Sequence, residues 1–345
     1  MNKIIGLFFF TSISLSSFAQ TDSTKTEDFN FDDFGNADEK VIKTYCTQKV
    51  NYLSPTRFVS IGYEQVLPFH IESNGTHLSS SANPNQRMVE THVNRFSGLR
   101  AAFNTPVISR SNVIVSLGLT YWNTGIRYEN PERSNFFKNT ETLNSTGINT
   151  TIFKPFNNKN FLIVQASADL NGNYKNISEL NSKGLTYSGV AIYGWKKDDN
   201  LMWGLGVSRT YRAGQVIHVP AILYNKTFNK NWGVEAVLPA KANLRRNFSP
   251  SSFIMLGYEI EGNTYYVGQI NNKETYLRRG EMKPRISFER QIKGFIWLAA
   301  QAGWRYNWRY DGFLTQNPVK NEIPTFTNTL GNPLYFNLSL NFVSP

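Results

Sequence analysis

The chain has 345 residues, a formal net charge of +11 and a single cysteine. One cysteine excludes an intramolecular disulfide framework. Aromatic residues make up 14% of the chain, but beyond residue 20 no apolar stretch is long enough for a membrane-spanning helix, so the composition excludes a helical membrane protein and still permits one built of strands.

The first twenty residues predict a secretory signal peptide. Lys3 supplies a positive charge, residues 4–10 form a short apolar run, and small residues precede Ala19. We place the cleavage after Ala19 or Gln20. Because Cys46 lies well beyond this point, it is not the acylated first residue of a lipoprotein, and we interpret it as a partly buried thiol.

Residues 21–45 predict an acidic, disordered periplasmic leader. Within residues 21–40 there are seven acidic residues and two lysines, and the stretch lacks regular periodicity. Part of it resembles a calcium-loop template, but Asp33 occupies the position that requires glycine. We therefore predict no metal site and no cofactor. The leader is either a solvated tail or a plug that docks into the basic body.

Residues 46–345 predict one β-barrel, because apolar and polar side chains alternate in segments of about ten residues. The last segment is the clearest, with Tyr335 and Asn337 on its polar face. Its apolar face consists of Leu334, Phe336, Leu338, Leu340 and Phe342. Other apolar faces end in Tyr121, Trp195 or Trp304, which is typical of rings at the level of lipid headgroups.

The predicted fold is an all-β, antiparallel transmembrane outer-membrane β-barrel of about 14 strands, with 12 as the alternative. The number depends on whether Glu261-Gly262-Asn263 is a tight hairpin or a bulge. The predicted strands cover residues 56–69, 88–104, 112–129, 143–155, 161–170, 184–195, 201–212, 216–226, 232–245, 252–260, 264–270, 276–290, 295–308 and 332–343.

Long and short joins between these strands alternate, which is the outer-membrane arrangement of long external loops and short periplasmic turns. The pattern predicts location in the cell outer membrane, with both termini in the periplasm. The long joins are 70–87, 130–142, 171–183 and 309–331, and the short ones are 105–111, 156–160, 196–200 and 291–294.

Charged residues of both signs fall on the predicted lumen face. Mixed charges can pair across a lumen and fill it, whereas a wide selective pore favours one sign. Two interpretations stay open: a structural interior network, or a narrow polar path or ligand site. The residues are Glu64, Arg100, Glu235, Glu259, Arg285, Glu289 and Arg305.

An enzymatic alternative is a lipid esterase similar to outer-membrane phospholipases, which use a His-x-Ser pair. His70 and Ser73 resemble that motif, but the additional residue between them places the two side chains on opposite strand faces. His77 and Ser79 have the right spacing but lie in a predicted loop. We therefore predict no catalytic residues and no enzymatic activity.

Several short motifs between residues 95 and 270 resemble a family of Bacteroidota outer-membrane β-barrels of unknown function. They are Asn94-Arg95-Phe96-Ser97, Gly206-Val207, Val219-Pro220-Ala221-Ile222-Leu223-Tyr224, Trp232-Gly233-Val234-Glu235-Ala236-Val237-Leu238-Pro239 and Gly257-Tyr258-Glu259-Ile260. The resemblance implies a barrel in the outer membrane and assigns no catalytic residues.

The expected partners are outer-membrane lipids, lipopolysaccharide and the barrel-assembly machinery, with no nucleic acid and an unknown small-molecule ligand. The basic body suits acidic sugars and lipid phosphates, although loops rich in Lys and Arg also explain it. We predict a non-enzymatic barrel for passive transport or envelope structure. The alternatives are a hydrophobic-ligand uptake channel with an N-terminal hatch, the esterase, and a soluble secreted sandwich.

Overall fold

The computed structural model describes residues 44–74, 89–131, 134–319 and 321–343. The predicted signal peptide, nearly all of the predicted leader, and His77 with Ser79 lie outside the described residues. Among the described helices, none has the length and apolarity needed to cross a membrane.

The described chain is almost entirely β-structure. One short helix, α1 (Asn135–Asn139), and two 3-10 turns (Ile177–Glu179 and Ser182–Gly184) lie between strands. The strands are β1 (Arg57–Val66), β2 (Phe69–Asn74), β3 (Val89–Arg110), β4 (Val113–Tyr128), β5 (Thr142–Pro155), β6 (Asn160–Gly172), β7 (Leu185–Asp198), β8 (Leu201–Thr210), β9 (Ile217–Thr227), β10 (Trp232–Leu238), β11 (Lys241–Ser249), β12 (Ser252–Ile270), β13 (Lys273–Lys293), β14 (Ile296–Trp304), β15 (Tyr306–Phe313), β16 (Thr327–Leu330) and β17 (Leu334–Val343).

The sheet closes into a ring. β1 pairs with β3 on one side and with β17 on the other, where Arg57 lies opposite Val343. Adjacent wall strands are antiparallel, and closure pairs the first and last strands of the described wall instead of leaving them as free edges. In three places two consecutive segments run in the same direction and together form one strand of the barrel wall: β1 with β2, β14 with β15, and β16 with β17. Counted in this way, the described wall has about 14 strands.

Apolar side chains cover the outside of the ring. On β17 the predicted alternation is confirmed, with Leu338 56% exposed and its neighbour Ser339 7% exposed. A monomeric soluble protein rarely exposes so much apolar surface. Trp232 at the start of β10 and Trp304 at the end of β14 place large rings near the two ends of the belt. The fold is therefore the predicted outer-membrane type of β-barrel.

The two ends of the barrel differ. Short turns join the strands at the end where β1 begins, and we call this the turn end; the other is the loop end. The turn-end joins are residues 111–112, 156–159, 199–200, 228–231, 250–251 and 294–295. The loop-end joins include 129–141, 173–184, 211–216 and 314–326, but two of them, 239–240 and 271–272, are short.

Two predicted strand boundaries are wrong, and their effects on the strand number cancel. Residues 232–245, predicted as one strand, form β10 and β11 around a turn at Pro239, which has no N–H to donate to a strand ladder. Glu261-Gly262-Asn263, predicted as a possible hairpin, continues straight through β12.

The hairpin of β12 and β13 is longer than its neighbours and enters the barrel. β11 ends its pairing at Lys241, opposite Glu259, but β12 continues to Ile270. Near the tip, Tyr266 forms a parallel bridge with Gly172 of β6, and β7 to β11 lie between these two strands in the sheet. Residues 260–282, which we call the inward hairpin, therefore cross the loop end of the ring.

The inward hairpin ends in a tight turn. Asn271 and Asn272 have φ values of 51° and 59°, as in a type I′ turn, and asparagine tolerates this region better than most residues. A type I′ turn matches the twist of paired strands, and the register of the two arms shifts between Tyr266 and Gln269.

Candidate functional site: a charged lumen

The barrel encloses ionised side chains that are buried from water. All seven residues predicted to face the lumen have ion-pair partners within the ring: Glu64 with Arg100, Glu235 with Arg245, Glu259 with Arg285, Glu289 with Arg57, and Arg305 with Glu281. Alternation along the strands explains this placement, because outward-facing neighbours such as Leu99, Phe288 and Trp304 are apolar and exposed.

Lys283 lies at the centre of the charged group and is only 1% exposed. Its Nζ lies 2.9 Å from Glu64 Oε2, 2.7 Å from Glu261 Oε2 and 3.4 Å from Glu281 Oε1. Three carboxylates surrounding one ammonium would leave excess negative charge, so further cations are needed at this depth.

Three arginines supply that positive charge. Arg100 donates to Glu261 through both terminal nitrogens at 2.9 Å and also to Glu64 at 2.9 Å. Arg279 lies 2.8 Å from Glu281, and Arg305 donates to the same carboxylate through Nε at 3.0 Å. We call the seven residues of this group the lumen network: Glu64, Arg100, Glu261, Arg279, Glu281, Lys283 and Arg305.

The lumen network joins the inward hairpin to the wall. Glu261, Arg279 and Glu281 belong to the hairpin, whereas Glu64 and Arg100 belong to β1 and β3. Pairing of buried charges depends strongly on geometry, because removal of one partner leaves the other uncompensated. The network therefore fixes the hairpin in one position.

The sequence prediction did not name Glu261, Arg279, Glu281 or Lys283. It placed Glu261 in a possible hairpin turn, and from the predicted strand 276–290 it named only Arg285 and Glu289. A signal was available. Arg279, Glu281, Lys283 and Arg285 alternate at every second position, which places four charges on one strand face.

Two polar chambers adjoin the lumen network. The larger, about 470 Å³, is lined by charged residues such as Arg285 and Glu259 and by neutral ones such as Gln301. The smaller, about 240 Å³, is lined mainly by hydroxyl and amide side chains from β4 to β8. Trp122 and Glu261 line both chambers. The lumen thus retains polar space.

The inward hairpin forms the loop-end boundary of these chambers. Glu261, Gly262 and Asn263 line the smaller chamber. Toward the loops, hairpin residues Val267 and Leu277 are fully buried in an apolar cluster with Phe136 and Phe137 of α1. Asn263 also donates to Asn171 of β6 at 2.7 Å, so the hairpin tip is bound to both sides of the ring.

At the turn end, residues 44–56 follow the inner rim of the barrel, and we call them the rim segment. The amide of Cys46 donates to Asn157 of the β5–β6 turn at 2.9 Å, and that of Asn51 donates to Asp199 of the β7–β8 turn at 2.7 Å. Ser54 donates to Glu235 and lines the larger chamber. The rim segment therefore bounds that chamber on the turn side.

Cys46 belongs to an apolar cluster inside the turn end, together with Phe153, Phe161 and Met202. It is 6% exposed, and burial raises the pKa of its thiol, although the nearby Lys196 acts in the opposite direction. A buried thiol with a raised pKa is a poor nucleophile.

The His70–Ser73 pair does not form a nucleophilic site. Ser73 is 3% exposed and faces inward, whereas His70 lies on the outward face of β2. Side chains on opposite faces cannot share the hydrogen bond that a Ser–His pair requires.

These features define a closed, largely filled β-barrel. The chain belongs to the family described as "Domain of unknown function (DUF6268)", whose family model matches residues 72–342. The matched region is longer than residues 95–270, where the sequence motifs that resemble a known family lie. The match does not test the predicted Bacteroidota affiliation, which stays a prediction. No curated protein matches the sequence of the chain.

Two proteins of known structure are similar to this chain, both with low TM-scores. The COG4313 outer membrane channel from Pseudomonas putida F1 has a TM-score of 0.35 and 11% identity, over 85% of this chain and 98% of that one. The Pseudomonas putida toluene transporter TodX has a TM-score of 0.32 and 9% identity, over 87% and 95% of the two chains. Such low scores carry no weight for function, and the fold rests on the strand pairing described above.

Proposed function

We propose that the protein is a non-enzymatic channel of the outer membrane that is closed in this conformation and admits small polar solutes. The observation that carries the proposal is the pair of polar chambers bounded by the inward hairpin. A barrel with a purely structural role has no need of polar space beside a buried charge network.

The proposed location rests on the outer surface of the barrel. The apolar belt requires an apolar surrounding, and a closed barrel satisfies every backbone group that would otherwise face lipid. The predicted signal peptide supports export. Membrane lipids and lipopolysaccharide are the proposed surroundings, and the barrel-assembly machinery is the proposed insertion partner.

The proposed solutes are polar because hydroxyl, amide and charged groups line the chambers. An apolar ligand in their place would displace water from polar groups such as Gln165, Ser188 and Ser208. This chemistry favours polar solutes over the hydrophobic ligands of the alternative prediction.

Single-channel conductance in planar bilayers tests the proposal. In the test variant, Asn-Gly replaces residues 263–279 and joins Gly262 to Gly280, which pair directly in the hairpin. We expect the full-length protein to conduct little and the variant to show discrete openings, because the loop-end boundary is removed. Liposome swelling with neutral sugars of increasing size then measures the width of the path.

The matched control shortens a loop-end segment that lines neither chamber, with Gly-Ser-Gly in place of residues 175–180. It should conduct as the full-length protein does. The channel proposal is wrong, and the barrel is structural, if the hairpin variant folds, as judged by heat-modifiable migration, but shows no channel conductance.

A further inference from the structure

A second group of reactive side chains lies on the outer face of the wall, away from the lumen. The antiparallel register of β2 and β3 places His70 opposite His92 and Glu72 opposite Glu90. Ile71 is 1% exposed and faces inward, so its neighbours His70 and Glu72 face outward together.

The side chains of this group are close enough to share one ion. Ligand atoms from His70, Glu72 and Glu90 all lie within 4.8 Å of one another. The imidazoles of His70 and His92 are 5.2 Å apart between ring centroids, and Nδ1 of His92 lies 3.6 Å from Glu129 Oε2. Ligand atoms around tetrahedral zinc are about 3.3 Å apart, so small side-chain rotations are sufficient.

The local charge favours a cation. Glu72 and Glu90 lie directly opposite each other on one face, so two carboxylates are side by side. Glu72 and Glu129 each have a histidine as an ion-pair partner. A divalent ion between the two strands would take ligands from both and connect them.

The types of donor indicate which ion. Imidazole with carboxylate is a donor set of zinc and other first-row transition metals, whereas calcium and magnesium prefer oxygen ligands alone. The chain has only four histidines, and two of them meet here.

The position is open to water. Along β1 and β2, Leu67 is the last large apolar side chain that is exposed before His70, and it is 42% exposed. The group therefore lies beyond the apolar belt, at the loop end. A hydrated ion can reach it without crossing lipid.

We propose that His70, Glu72 and Glu90, with His92 as the fourth ligand, bind a divalent transition-metal ion of the zinc class on the outer surface of the barrel. The site is independent of the lumen and of the proposed transport function. Its occupation would bind β2 to β3 beside the loop between them.

Calorimetry of the full-length protein in detergent tests the site, with Zn²⁺, Ni²⁺ and Ca²⁺ as probes. We expect one saturable Zn²⁺ site and much weaker binding of Ca²⁺. The double variant His70→Ala/His92→Ala should weaken Zn²⁺ binding by about tenfold or more, and Glu72→Gln should weaken it less. Added Co²⁺ should give a ligand-field absorption band in the wild type and not in the double variant.

The matched control is His218→Ala on β9, an exposed histidine outside the group, which should bind Zn²⁺ as the wild type does. Each variant is checked for heat-modifiable migration, so that loss of fold is not mistaken for loss of a ligand. Equal Zn²⁺ affinity in the double variant, equal affinity for Ca²⁺, or no saturable binding would each overturn the proposal.

Discussion

At the scale of single residues, the lumen depends on charges that are largely buried. Lys283 neutralises parts of three carboxylates at once, in a position that is only 1% exposed. Its replacement should therefore cost far more than the loss of a surface ion pair.

We expect Lys283→Met to lower the free energy of unfolding by about 3–5 kcal/mol, because it leaves Glu64, Glu261 and Glu281 partly uncompensated in a buried site. Denaturant titration of the refolded barrel in detergent measures the effect. Lys293→Met, at an exposed position near the β13–β14 turn, should change it by no more than about 0.5 kcal/mol. Equal effects of the two changes would show that the network contributes nothing particular to stability.

Cys46 gives a residue-scale test of the rim segment. Because its thiol is buried and its pKa is raised by that burial, maleimide should modify it at least about tenfold more slowly than an exposed thiol. The reference is Asn158→Cys in a Cys46→Ala background, at an exposed position of the adjacent turn. Rapid modification of folded Cys46 would mean that the rim segment does not stay bound at the turn end.

At the scale of elements, the inward hairpin lies flat against the 211–216 loop because glycine faces it. Gly262 and Gly280 are directly paired across the hairpin. A Cβ at Gly280 would lie 2.8 Å from the carbonyl oxygen of Ala213, a distance that requires the backbone to move.

Gly280→Val should lower the free energy of unfolding by about 1–3 kcal/mol, since the extra side chain forces the hairpin and the loop apart. Gly125→Val is the control, because its Cβ would lie 3.7 Å from the nearest heavy atom, the carbonyl oxygen of Ser97. Denaturant titration compares the two. A loss of stability no greater than that of the control would show that the hairpin does not require this close approach.

Most of the wall was predictable from sequence, because lipid on one side and a wet lumen on the other impose alternation on each strand. Leu334 to Phe342 shows this pattern without interruption. The inward hairpin was not predictable in the same way. Inside a lumen both strand faces are buried, so residues 275–281 have no exposed face to mark them.

The charged site was partly predictable for the same reason. Glu64 and Arg100 lie on wall strands, where the alternation of faces assigns them to the lumen. Their partners Glu261 and Lys283 lie on β12 and β13, and which strands meet across a lumen depends on long-range packing that no local pattern encodes.

At the scale of the whole molecule, the assignment of outer and inner faces can be tested with tryptophan. Trp203 faces outward and is 36% exposed, whereas Trp297 faces inward and is 5% exposed. In variants that keep one of the seven tryptophans, lipids with brominated chains should strongly quench Trp203 and leave Trp297 nearly unaffected. Equal quenching of the two would mean that lipid does not surround the barrel as proposed.

The seam between β1 and β17 has a consequence for biogenesis. The strands that complete the ring come from opposite ends of the described chain, so closure requires the largest loop that the described chain can form. Until β17 arrives, β1 and β14 both present open edges of the kind that recruit other chains into aggregates. We therefore expect the open edges of the polypeptide to need shielding until its final strand is available, and we expect a defect confined to that strand to leave the whole barrel unassembled.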